Sequence, residues 1–295
     1  MGTSPIHVYE DLSTGFGLIF LHLHIIFFLM TIKQAILKSL PCFVVRKYLK
    51  YKSHKRMKGY EGNGVKCPAC GSTFRIFAPT GHPLRENAKC PQCESVERGR
   101  LLWLYITELT NLFECRSGIR LLHFAPEKFF YDKFSKLQNL EYVPCDLFPE
   151  KYIFGGKVKT AKVDITRIPF ADNSFDVILC NHVLEHIPDD ALAMSELYRV
   201  MKPGGWGIFQ TPINYARNKT YENFSITTPE GRLKAFGQSD HVRWYGVDYK
   251  NRLEKAGFEV TVNNFVKKFS DKELFKYGLN KTELIYRCDK VKTDK

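Results

Sequence analysis

The 295-residue sequence predicts an α/β protein: an open, mostly parallel sheet covered on both faces by helices, with a small cysteine-bearing module ahead of it. Three observations lead there. From residue 118 onward, apolar strand-like runs alternate with helical ones, and runs such as "FDVILCNHV" (175–183) are apolar on both sides, as strands of a doubly covered parallel sheet are. Two C-x-x-C pairs precede them. The composition, 44% hydrophobic and 25% charged, is globular, and the length suits one large domain plus a smaller unit.

The formal charge of +13 is concentrated near the start. Residues 12–60 contain no Asp or Glu and nine Lys or Arg, and only +4 remains after Arg100. Residues 12–32 hold no charged side chain, a span long enough for a membrane anchor, with the Lys-rich flank from Lys33 then placing the rest on the cytoplasmic side. His22 and His24 mid-span, and Met30 as an alternative start, favour the opposite reading, that residues 1–29 are not made. Residues 33–64 read as a basic helical arm and linker. Its apolar positions, Ile36, Leu37, Leu40, Val44, Val45, Tyr48 and Leu49, suit a membrane surface, a nucleic-acid backbone or plain packing. The nine cysteines, an odd number, argue against a disulfide framework and for a reducing, cytoplasmic setting.

Cys67, Cys70, Cys90 and Cys93 form C-x2-C-x19-C-x2-C, the spacing of a four-thiolate zinc site. Two tight knuckles joined by a hairpin-like insert predict a structural zinc ribbon over residues 65–98, in which metal binding contributes about 10–16 kcal/mol toward folding. His82, in the insert, is read as a loop residue. An apolar helix over 95–114 docks this module onto the main domain, with the connecting segment ending at 117.

The main domain, residues 118–290, is then built in order. Strand 119–124 leads to helix 128–137, strand 141–146 ends in Asp146, strand 161–165 contains Asp164, and strand 175–183 follows. Helix 191–201 is stopped by "KPGG", and strand 205–213 comes after it. Ligands of such a sheet bind at the carboxyl ends of its strands. The first loop, "HFAPE", has no glycine, places Glu127 at the helix start and loses an N–H at Pro126. A pyrophosphate is disfavoured by all three features. S-adenosylmethionine, cationic and without phosphate, suits them: a carboxylate near the loop favours its methionine end, Asp146 accepts from ribose hydroxyls and Asp164 reaches the adenine amine.

"DITRIPFADNSFDVILCNHVLEHIPDD" followed by "ELYRVMKPGGWGIFQTPI" resembles class I, type 11-like SAM-dependent methyltransferases. With CPAC, CPQC, "LLHFAPE", "FGQSDHVRWYGVDY" and "AGFEV", residues 65–285 are similar to a bacterial group bearing an N-terminal zinc ribbon. The resemblance implies a Rossmann-like, seven-stranded methyltransferase sheet whose last strand, 282–288, is antiparallel. The absent G-x-G is its departure from the pattern. The expected cofactor contacts are His123, Phe124, Ala125, Glu127, Asp146, Asp164, Ile165, Asn181 and His182. His241, His182 and Tyr245 are the candidates for the chemistry, and Arg243 either binds an anionic substrate or pairs with a nearby acid.

The expected activity is O- or N-methylation of a small-molecule or glycan-like acceptor. An RNA methyltransferase using the ribbon and basic arm, and a non-catalytic zinc-stabilised binding protein, are the alternatives.

Overall fold

A computed structural model describes residues 42–81, 83–114, 118–154 and 157–292. The candidate anchor at 12–32, the start of the basic arm and His82 lie outside the described residues. The chain divides into two units, one of residues 1–51 and 155–157, the other holding the remainder. Among the described residues no helix is long and apolar enough to cross a membrane.

Helix α1 (Cys42–Met57) carries basic residues in its last turn, and there Arg56 donates to the Pro91 carbonyl at 2.6 Å and pairs with Glu94 at 2.9 Å. Two short antiparallel ladders follow, β1 (Val65–Lys66) with β2 (Thr73–Phe74) and β3 (Ala78–Thr80) with β4 (Arg85–Lys89). Helix α2 (Glu97–Leu109) is shorter at both ends than the apolar run that predicts it. It buries Leu101, Leu102, Tyr105 and Ile106, each worth about 1.5–3 kcal/mol of apolar burial.

The main sheet has seven strands. The first four in sequence are β5 (Ile119–Phe124), β6 (Leu140–Asp146), β7 (Ala161–Lys162) and β8 (Phe175–Asn181). Helix α3 (Lys128–Phe134) follows β5, and α4 (Asp190–Val200) links β8 to β9 (Met201–Gln210). The strands and α-helices after β9 are β10 (Tyr221–Glu222), α5 (Pro229–Phe236), β11 (Arg243–Trp244), α6 (Tyr249–Lys255), β12 (Glu259–Asn263), α7 (Asp271–Tyr277) and β13 (Ile285–Asp289). The spatial order is β12-β13-β9-β8-β5-β6-β7. β13 runs antiparallel to both neighbours, while the pairs from β9 across to β7 are parallel.

Period-2 alternation divides the core. Leu121, Val177, Leu179 and Ile208 face one side and pack with α2 and with Phe74 and Phe77 of the cysteine module. Leu122, Phe124, Ile178, Cys180 and Phe209 face the other, toward Met194 and Leu197 of α4 and Leu253 of α6. The third strand is shorter than its sequence run because the Asp164 carboxylate accepts the Thr166 N–H at 2.9 Å and turns the chain. The fifth starts earlier, at Met201, and takes in the KPGG stretch, where Gly204 bends it at φ +79°. Strand order reverses between β5 and β8, so a crevice opens at their carboxyl ends.

Candidate functional site

The register of β5 with β6 pairs Phe124 with Cys145, and that of β5 with β8 pairs Phe124 with Cys180, so Ala125, Asp146 and Asn181 each stand one residue beyond this aligned row. There lies a cavity of about 410 Å³ whose lining includes Phe124, Ala125, Asp146, Asp164, Ile165 and His182. Ala125 has φ +50°, the left-handed region that glycine adopts without strain, and its N–H donates to the Cys145 carbonyl at 3.0 Å. The loop therefore bends as a glycine would bend it, with alanine bearing the strain. Replacing Ala125 by Gly is expected to raise stability by about 1 kcal/mol. Thermal melting checks this, and an unchanged or lower Tm would mean that the loop is not left-handed.

Asp146 accepts the Phe148 N–H at 2.8 Å on one oxygen and the Tyr152 hydroxyl at 3.0 Å on the other. A carboxylate has about four lone-pair sites, so accepting capacity remains toward the cavity. Burial, and then the Asp146 charge, push the Tyr152 phenol up, so it stays a donor. Tyr152 and Phe148 also line this cavity, and no spacing signal in the sequence singled them out.

His123, Glu127 and Asn181 lie outside that lining and make a polar cluster of their own. His123 is fully buried, with Nδ1 2.9 Å from the Tyr142 hydroxyl and Nε2 2.9 Å from Glu127 Oε2. Its ring meets Phe130 and Phe134 edge-on, on the α2 side of the sheet. Asn181 donates to Glu127 at 3.4 Å. Burial raises the Glu127 carboxyl, but the hydrogen bond and charge of His123 outweigh it and hold the carboxyl below the ordinary range.

A second cavity, of about 650 Å³, adjoins the first, and His182, His186 and Asp240 line both. Its other walls are mainly polar, with Arg85, Arg98, Glu185, Gln238, Asn280 and Glu283 beside the rings of Tyr215, Trp244 and Tyr286. Glu185 is buried and both its oxygens are engaged, one 3.2 Å from His182 Nδ1 and the other accepting the Thr211 hydroxyl at 3.1 Å. His186 Nδ1 donates to the Asp240 carbonyl at 3.2 Å. The His241 ring stands edge-on to His186, 4.8 Å away, and burial pulls its pKa down so that it is neutral near pH 7. Glu185, His186 and His241 bring ligand-capable atoms within 4.8 Å of one another. Glu185 has protein partners for its charge without an ion. Burial pushes the Glu283 carboxyl up, making it a candidate donor in this wall.

Tyr245 and Arg243, expected near an acceptor, occupy the core instead. Tyr245 is fully buried and its hydroxyl donates to Asp190 at 2.6 Å. Arg243 bonds Glu222 at 2.9 Å and the carbonyls of Leu184, Ile187 and Pro188. It thereby fixes the turn that carries Glu185 and His186.

In the cysteine module, Cys67, Cys70, Cys90 and Cys93 place their sulfurs within 4.8 Å of one another. The knuckles match: Cys67 N–H donates to the Ser72 carbonyl and Cys90 N–H to that of Ser95, both at 2.9 Å, and Gly71 and Glu94 are left-handed at φ +79° and +67°. Four thiols this close ionise together only around a cation, so the donor set fits tetrahedral zinc.

Residues 136–209 match the family model described as a methyltransferase domain. Those residues are similar to a methyltransferase domain. The ubiquinone/menaquinone biosynthesis C-methyltransferase UbiE of Idiomarina loihiensis is 30% identical over 118 residues, 35% of this chain and 47% of that protein. UbiE of Klebsiella pneumoniae is 36% identical over 118 residues, with the same coverage. The chain thus spans about half the length of these curated relatives. A solved S-adenosylmethionine-dependent methyltransferase from Mesorhizobium loti is 16% identical, with a TM-score of 0.42, covering 58% of this chain and 91% of that one. The matched segment begins just after α3 and ends within β9, and therefore contains Asp146, Asp164 and the Asn181–His186 turn.

Proposed function

We propose that this methyltransferase domain transfers the methyl group of S-adenosylmethionine to a hydrophilic small-molecule or glycan-like acceptor, by O- or N-methylation. The observation that carries the proposal is the pair of adjoining cavities. One sits at the strand switch point with an acid at the end of each of two neighbouring strands, and the other is polar and meets it at His182, His186 and Asp240.

The cofactor supplies a methyl group already activated on a sulfonium, so positioning carries most of the catalysis. Asp146 accepts from the ribose hydroxyls, Asp164 and the backbone at Ile165 take the adenine edge, and Phe124 and Ala125 bound the site. The Glu127 charge, kept by His123, favours the cationic methionine end through space. His241, neutral and at the acceptor wall, accepts the proton that an acceptor hydroxyl must lose. His182 divides the two cavities and is steadied by Glu185.

Glu97, Glu185 and Asp240 in the second cavity offset the charge of Arg85 and Arg98, so it offers no net positive surface to a phosphate backbone, which weighs against the RNA reading. Its polar walls suit hydroxyl-bearing acceptors better than the quinones named for the relatives. The four thiolates are assigned to structural zinc.

The test is calorimetric titration of SAM into the protein beside Asp146→Ala and Asp146→Asn. Hydrogen bonds to a charged group are worth about 1.5–3 kcal/mol, so affinity should fall about 10- to 100-fold in Asp146→Ala. Asn keeps an oxygen for the Phe148 N–H and controls for loop damage. Absence of binding to the unaltered, folded protein would leave the non-catalytic binding reading in its place.

A further inference from the structure

We infer that the cysteine module is a working part of the second, acceptor-side cavity: it supplies one wall, and Arg100 uses it to hold the opposite wall, residues 279–286, in register. The inference extends the proposed function by assigning the module to the acceptor half of the site.

Arg85, on the last strand of the module, and Glu97 and Arg98, on the helix that follows, line the second cavity. Arg85 and Glu97 are locked together by two hydrogen bonds, of 2.7 and 3.4 Å. The Arg98 charge acts on the Glu127 and Glu283 carboxyls. Across the cavity stand Asn280, Thr282, Glu283, Leu284 and Tyr286.

Arg100 joins the two sides. It is fully buried, and its guanidinium donates to the Ala88 and Ser95 carbonyls of the module at 2.9 and 2.6 Å and to the Tyr277 and Gly278 carbonyls at 2.7 and 2.6 Å. The guanidinium also lies 4.3 Å over the Phe77 ring. Asn87 adds a bond to the Phe275 carbonyl at 2.9 Å. Contact at Gly278 leaves no room for a side chain: a Cβ there would come within 2.7 Å of Arg100 Nη2 and of the Asn87 carbonyl oxygen. Gly278, left-handed at φ +56°, begins the segment that runs directly into Asn280 and Glu283. None of these residues lines the cofactor-sized cavity.

Arg100 is therefore a positioning residue, and its loss should loosen one half of the site and spare the other. Hydrogen exchange of Arg100→Met should rise about tenfold across 277–286, with 140–146 and 175–181 unchanged. SAM affinity, where the unaltered protein binds it, should stay within about threefold and metal content should be retained. Arg100→Lys, which keeps the charge with fewer donors, should give a smaller rise confined to the same segment, and serves if the Met variant does not fold. Unchanged exchange at 277–286, or an equal rise in the strands of the sheet, would overturn the inference. Exchange is read without SAM, so the coupling is decided even if the Asp146 titration defeats the methyl-transfer reading.

Discussion

Arg243→Ala should destabilise the protein by about 3–5 kcal/mol, the usual consequence of removing one partner from a buried ionic network. The side chain is 1% exposed, and its guanidinium serves Glu222 and the carbonyls of Leu184, Ile187 and Pro188. Asp190, 2% exposed, stands 3.6 Å away and is shared with Arg252 at 2.7 Å and the Tyr245 hydroxyl at 2.6 Å. Truncation removes the Arg243 donors from the Ile187 and Pro188 carbonyls, while that of Leu184 keeps the Ile187 N–H and the Tyr245 hydroxyl, and it leaves Arg252 as the cation paired with Asp190 and Glu222. For a domain of this size the loss corresponds to a fall in Tm of about 10 °C. Tyr245→Phe, which removes one hydroxyl, should cost only about 1–3 kcal/mol. A fall of under about 2 °C for Arg243→Ala would mean that the network behaves like a surface pair. The turn that loses these donors carries Glu185 and His186, so SAM affinity should weaken in parallel.

The same residue shows where sequence reasoning reached its limit. Alternating apolar strands, the KPGG stop and the paired C-x-x-C knuckles are local signals, and they sufficed for the parallel sheet and the cysteine cluster, whereas the antiparallel last strand was implied by the family resemblance alone. Which way a polar side chain turns at a strand end is not local. His123 reads as the last polar residue before a ligand loop, yet period 2 places it on the face of Leu121, where Phe130, Phe134 and Tyr142 enclose it. Tyr245 and Arg243 sit in a motif dense with functional residue types, and only the packed position of Asp190 turns both inward. Tyr152, Arg98 and Glu283 were invisible because they come from elements far apart in sequence that meet only at the cavities.

Cys67→Ser and Cys90→Ser should each have the largest effect of any single substitution, removing the bound metal and the cooperative fold with it. Structural zinc contributes about 10–16 kcal/mol, comparable to the whole stability of an ordinary domain. The module cannot fail alone, because Val65, Phe74 and Phe77 share one core with Leu101 and Leu102 of α2 and Leu121 and Ile208 of the sheet. Loss of the four-thiolate cation would leave crowded thiols and a partly wetted sheet face. Elemental analysis should find a single zinc ion per chain in the unaltered protein and none in either variant, and a strong chelator should reproduce the loss of the melting transition. Cobalt exchanged for zinc should show thiolate charge-transfer bands. Cys145→Ser, buried in the sheet away from the cluster, should keep its metal and lose only the modest stability of a core substitution. Metal-free protein with an unchanged Tm would refute the zinc assignment, and would mean that apolar packing between the module and α2 holds the knuckles together.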